Sequence, residues 1–157
     1  MNRTHMHAAS RAFALLLPAL AMLVGCSQPT LFENPDPNLR KTKDELKTDA
    51  SARNYRADAP RLQEPKARAQ AVYDLNRLEV VNFTGKDWSD VEIWVNRQYV
   101  CFVPKMEDRK LKEIHFPMLY DRNGEHFPMD NKTVVVQTVE IYRDGMLYNV
   151  VCHTSDW

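Results

Sequence analysis

Thr133-Val134-Val135-Val136-Gln137-Thr138-Val139-Glu140-Ile141-Tyr142, then Arg143-Asp144-Gly145, then Met146-Leu147-Tyr148-Asn149-Val150-Val151-Cys152-His153, is the stretch that decides the fold class. Two runs rich in β-branched and aromatic residues flank an Asp-Gly pair, which tolerates the positive φ angles of a two-residue type I′ hairpin turn. That turn sets Arg143 opposite Met146, Ile141 opposite Tyr148, Val139 opposite Val150 and Gln137 opposite Cys152. One face then carries Ile141, Val139, Tyr148, Val150 and Cys152. A slip of one residue would turn that apolar set to solvent, so the pattern itself fixes the register.

Working back along the chain, the same period of two recurs. Leu78 to Phe83 reads as a strand. Trp88 to Val95 reads as a second, with Val91, Ile93 and Val95 on one face and Asp90, Glu92 and Trp94 on the other. Tyr99 to Val103 is a third, and Lys110 to Phe116 is a candidate fourth. The connection Asn96-Arg97-Gln98 admits two registers. A two-residue turn pairs Trp94 with Tyr99 and turns Cys101 away from Ile93; a three-residue loop pairs Val95 with Tyr99 and sets Cys101 beside Ile93 on the core face. The second is expected, on the premise that Cys101 forms a disulfide across two packed sheets.

Six or seven short strands with turn residues between them predict an all-β chain folded as a small antiparallel β-sandwich. The run Asn82-Phe83-Thr84-Gly85-Lys86-Asp87-Trp88, followed by Val91 to Asn96, resembles the strand-turn-strand opening of immunoglobulin-like domains in exported bacterial proteins. That likeness covers about fifteen residues and implies an immunoglobulin-like sandwich over residues 71–157.

The N-terminal segment has another character. Arg3 and Arg11 precede an apolar run from Ala12 to Val24 with no acidic residue before it, the pattern of a secretory signal. The run is too short for a spanning helix, which takes roughly 20 residues. Leu23-Val24-Gly25-Cys26 resembles the lipobox of bacterial lipoproteins. The resemblance implies cleavage after Gly25, a diacylglyceryl group on Cys26, and anchoring to a bilayer through acyl chains. Ser27 in the next position looks like the outer-membrane default, which implies a cell-envelope protein on the outer membrane facing the periplasm. The expected organisation is therefore a signal peptide over 1–25, a lipidated Cys26 with a flexible tether over 26–70, and the β domain after it. The tether reading rests on Pro29, Pro35, Pro37, Pro60 and Pro65 and on few large apolar residues. A short helix between about Asp44 and Tyr55 is the one element expected within it. Nine Lys or Arg against five Asp or Glu from Arg40 to Arg68 read as solvated charge, or as contact with anionic headgroups.

Composition narrows the function classes. Without the signal segment, 19 Lys and Arg stand against 21 Asp and Glu, which argues against nucleic acid as a partner. Four glycines supply no phosphate-cradling loop. With Cys26 committed to lipid, Cys101 and Cys152 are left as an even pair in an oxidising compartment, and a disulfide between them is the leading expectation. Two buried free thiols are the alternative. Asp121, Asn123 and Glu125 around Gly124 resemble calcium-loop oxygens in type but not in spacing, and a polar turn on Asn123-Gly124 accounts for them. His115, His126 and His153 offer no ligand pair at i, i+2 or i, i+4, so no metal or other cofactor is expected. Trp94 and Tyr99 form a candidate binding patch if they share an outward face, although filling the core is the expected role of such rings.

These readings point to a non-catalytic, membrane-tethered binding or assembly module with an envelope protein partner. The rival is a small envelope enzyme or metal-dependent hydrolase built from His115, Asp121, Glu125, His126 or His153. Clustering of those side chains in one pocket would favour the rival; an exposed apolar face or an open sheet edge would favour the binder.

Overall fold

A computed structural model describes residue 34 and residues 36–129 and 134–154; the lipobox, Cys26 and Trp157 lie outside the described residues. Seven strands form one sheet: β1 (Arg61–Val72), β2 (Arg77–Asn82), β3 (Trp88–Val95), β4 (Tyr99–Met106), β5 (Leu111–His115), β6 (Val139–Arg143) and β7 (Met146–Thr154). Their order is β4-β3-β6-β7-β1-β2-β5. The sheet curls towards a barrel. Beyond β5 the chain crosses to β4, where Tyr120 and Val100 exchange backbone hydrogen bonds of 2.9 and 3.3 Å. The mostly β expectation holds. Every pairing is antiparallel except β1 with β7, which is parallel.

Both expected registers are found, although the disulfide premised for the second is not made. Asp144 and Gly145 have φ of 51° and 78°, and Val139, Ile141 and Arg143 face Val150, Tyr148 and Met146. Gln137 and Cys152 do not pair: β6 begins only at Val139, and Cys152 lies beside Ala69. At the β3–β4 connection Val95 pairs with Tyr99 and Ile93 with Cys101, the three-residue loop. β4 runs through Pro104 to Met106, because its outer side is a sheet edge where the missing N–H breaks no ladder.

The tether reading fails for residues 36–70. Thr42 opens a helix, α1 (Lys43–Ser51), with a capping box to Glu45, and Leu46 and Ala50 are buried in the core. From Arg61 the chain is already a strand. Ala67, Ala69 and Ala71 point inward while Lys66, Arg68 and Gln70 point out. Alanine has the right period but little bulk, so the run does not stand out as apolar. It lies where β2 and β7 both pack against it, and a larger side chain would crowd them.

Candidate functional site

Three places on the molecule gather chemistry. The first lies on the outer face of β3 and β6, where Glu92 and Glu140 project from the sheet. Alternation alone puts both on the face opposite the apolar set. The segment after α1 crosses this face and buries them. Glu140, 1% exposed, accepts 2.6 Å from the Tyr55 hydroxyl and 3.2 Å from Arg61 Nε, and Arg97 Nε lies 3.4 Å away. Glu92 is paired with Arg56 at 2.8 Å and Arg53 at 3.6 Å, and accepts from Trp94 Nε1 at 3.0 Å. Three of the arginines therefore also serve as covers: Arg53 stacks on Phe102 and Arg56 on Tyr142, at 4.2 and 4.0 Å, while Arg61 lies near the Tyr55 ring. Burial pushes the Tyr55 hydroxyl pKa up, and its bond to Glu140 adds to that; Arg61 opposes it. Each carboxylate faces two guanidiniums and a further donor, an arrangement that clamps a chain segment rather than one poised to exchange protons.

The candidate patch of Trp94 and Tyr99 is not formed. In the observed register the two are on opposite faces of the sheet. Trp94 meets Tyr55 edge-on at 5.4 Å, and Tyr99 meets Phe127 inside the barrel at 5.1 Å. Both are buried. The second place is an open cleft of about 590 Å³ beside Trp94, walled by Arg53, Tyr55, Arg97, Gln98 and Arg122.

Cys101 and Cys152 are both free, so the expected disulfide is not made. Cys101 faces the core across from Ile93, Ile141 and Tyr148 in turn, whereas Cys152 sits four residues further along β7. Four residues of strand advance about 13 Å, and a disulfide needs Cα atoms within about 7 Å. Burial pushes the Cys101 thiol up to about 12 and raises that of Cys152 as well, so neither is a poised nucleophile.

Of the side chains named for the rival hydrolase, Asp121 and His126 have local backbone partners. The Asp121 carboxylate accepts from the backbone N–H groups of Asn123 and Glu125, both at 2.9 Å, closing the turn on Gly124. His126 Nδ1 lies 2.9 Å from its neighbour's carbonyl. His115 ends β5, where burial lowers its pKa, and His153 is exposed near the end of β7. Among the described residues no group of three His, Cys, Asp or Glu is placed to hold a metal.

The third place is a strip on the outer face of β5, β2, β1 and β7. Leu111 pairs with Val81, Val81 with Arg68 and Arg68 with Val151, so these four form one row across four strands. Phe83 continues β2's outward side. Phe83, Leu111 and Val151 are 50%, 48% and 43% exposed. Val81, Phe83 and Leu111 also line a shallow groove of about 230 Å³. The sequence signal was present, since Val81 and Phe83 alternate with the inward Val80 and Asn82. It was masked because a strand that is apolar on both sides reads simply as core.

Comparison with protein-family models, curated proteins and solved structures finds no match for the chain.

Proposed function

We propose that the chain is a membrane-tethered envelope lipoprotein, acylated at Cys26 on the outer membrane facing the periplasm. Its domain is a non-catalytic binding or assembly module. The observation that carries this reading is the exposed strip. Leu111, Val81 and Val151, apolar side chains from three strands in one row with Arg68 of β1 between the last two, cost hydration free energy unless something covers them, and they mark a contact surface. The Glu92 and Glu140 network supports the same reading, because its two carboxylates and four guanidiniums hold the segment that precedes β1.

The finer fold reading is an immunoglobulin-like arrangement, and the strand order supports it. The run β5-β2-β1 and the run β7-β6-β3-β4 behave as two halves joined through β1. Arg61 to Gln63 pair with β7, and after a bulge Arg68 to Ala71 lie between β2 and β7. On this reading the single sheet folds over one core as two facing halves, with the first strand shared between them.

The test is crosslinking in the native envelope with the acylated chain and a Cys26→Ala control. Recovery of one or a few stoichiometric envelope proteins with the anchored form alone is the expected result. Clean recovery of nothing specific would sink the assembly-module reading.

A further inference from the structure

The cleft beside Trp94 is walled by three separate parts of the chain. Arg53, Asn54 and Tyr55 follow α1, Arg97 and Gln98 lie in the β3–β4 loop, and Asp121 to Asn123 open the turn on Gly124. These parts are fixed in place. Tyr55 is bonded to Glu140 of β6 at 2.6 Å, Gln98 Nε2 donates to Asp121 Oδ2 at 3.4 Å, and Asn96 ties its loop to Gln137 and Thr138. Arg97 itself sits at φ 61°, in the left-handed region that a residue with a Cβ adopts at a cost. Such positions persist where the surroundings over-determine them, and they gather at binding sites.

The lining carries three guanidiniums and one carboxylate. The carboxylate is committed. Asp121 is buried, its Oδ1 accepts the N–H groups of Asn123 and Glu125, and its Oδ2 accepts from the side-chain amides of Asn123 and Gln98 at 3.3 and 3.4 Å. The guanidiniums are in excess. Followed outward through every ion pair, Arg53, Arg56, Arg61, Arg97 and Lys41 share only Glu92, Glu140 and Asp49, five cations on three carboxylates. Arg122 offsets Asp121 in charge, but it is exposed and makes no ion pair among the described residues. The carboxylates of Asp44, Asp58 and Glu125 do not line the cleft. Arg97 approaches Glu140 through Nε at 3.4 Å and its side chain is 57% exposed, so its Nη groups keep access to the cleft.

A guanidinium fork matches the paired oxygens of a phosphate or carboxylate group. A cleft of about 590 Å³ is also of the size that holds a small molecule. We propose that this cleft binds a small oxyanion of two charges, a phosphate group or a dicarboxylate, between Arg53, Arg97 and Arg122. Two charges answer the two cations that the network leaves over. Asn54, Gln98 and Asn123 stand in the same walls as further donors. The site shares no residue with the exposed strip, and the proposal does not depend on the acylation of Cys26. Because the ligand would touch all three walls, its binding would also fasten the segment ahead of β1 to the sheet.

The test titrates the full chain, in a non-ionic detergent, with inorganic phosphate and separately with succinate. Both are kept in the low millimolar range, with sodium chloride holding the ionic strength constant. Nitrogen–proton NMR spectra of the backbone and of the arginine Nε–H groups report the site. Saturable shifts are expected at Arg97, Gln98, Arg122 and Asn123 and at the Nε–H of Arg53, with none at Lys66 or Lys86 on the far side of the fold. The tighter of the two anions names the group that the site prefers. Arg122→Gln, which breaks no ion pair among the described residues, should keep the melting curve and weaken binding about tenfold, the size of one charge-assisted hydrogen bond. Arg97→Lys keeps the charge beside Glu140 but removes the fork, and should weaken binding by a similar factor. Absence of saturation with both anions would overturn the proposal. So would equal shifts with sodium chloride alone, which would mark screening, or undiminished binding in both variants, which would place the anion elsewhere.

Discussion

Tyr55 and Glu140, 85 positions apart, are joined by a 2.6 Å hydrogen bond that ties the segment ahead of β1 to the outer face of β6. The bond makes a buried carboxylate compatible with the sheet, since Glu140 is 1% exposed and Arg61 and Arg97 supply the counter-charge from its rim. Tyr55→Phe removes one donor from that carboxylate and should cost about 1.5–3 kcal/mol, the range for hydrogen bonds to charged groups. Glu140→Ala should cost more, because it also removes the partner of Arg61 and Arg97. Urea unfolding checks both, with lower midpoints at an unchanged slope expected. An undiminished midpoint in Tyr55→Phe would show that the clamp does not depend on this bond.

The two free thiols differ in access. Cys101 is fully inside the barrel with its pKa pushed up to about 12 by burial, and Cys152 is half-buried with its pKa raised by the same cause. Alkylation of the native protein at pH 8 should therefore modify Cys152 first and Cys101 only as fast as the barrel opens. Intact mass measured without reductant should show no loss of two hydrogens. A peptide pair linked through Cys101 and Cys152 would contradict the fold at β7.

Much of this architecture was legible in the residues, and what was not has a common cause. The Asp144-Gly145 turn fixed the register of its hairpin, because turn geometry and alternating apolar residues agree there. The Asn96–Gln98 loop admits two registers, and the observed one is expected only on the premise of a disulfide that is not made. The first strand stayed hidden because its inward residues are Ala67, Ala69 and Ala71, whose hydrophobic signal is weak. Alternation places Glu92 and Trp94 on the face opposite Val91, Ile93 and Val95, and cannot know that a distant segment covers that face. The strip at Phe83 and Leu111 needed the strand order, which brings β5 beside β2 and β2 beside β1.

Asp36 and Lys112 form a second tie between the N-terminal segment and the sheet, on β5. Burial alone would raise the Asp36 pKa, but the bonds from Lys112 and Asn38 outweigh it and hold the carboxyl below its usual value. A carboxyl depressed in the folded state contributes stability that is fully present above its unfolded pKa, near 3.9, and lost as pH falls through the lower folded value. Wild type should therefore lose stability between about pH 5 and pH 2 more steeply than Asp36→Asn, and the two curves should run parallel above that window. Thermal melts across pH 2–7 measure this. Parallel curves throughout would show that the pair adds nothing.

Asn96 explains how residues 134–138 are held although they are not a strand. It sits at φ 53°, in the left-handed region that Asn tolerates better than most side chains. From there its Oδ1 accepts the N–H groups of Gln137 and Thr138 at 2.7 and 3.2 Å, and its Nδ2 donates to the Val135 carbonyl at 2.7 Å. Tyr73 takes the Val136 N–H at 2.8 Å. Side chains thus replace the ladder that the long Thr133–Tyr142 strand would have had. Asn96→Ala removes three bonds and places a less tolerant residue at positive φ. The expected loss is about 2–4 kcal/mol, from about 1 kcal/mol for each bond and about 1 for the backbone. Asn96→Gly keeps the backbone conformation and should recover only that last part. Hydrogen exchange at Gln137 and Thr138 should accelerate in both variants. Unchanged protection there would mean that packing of Val136 and Val139, and not the Asn96 amide, holds the segment in place.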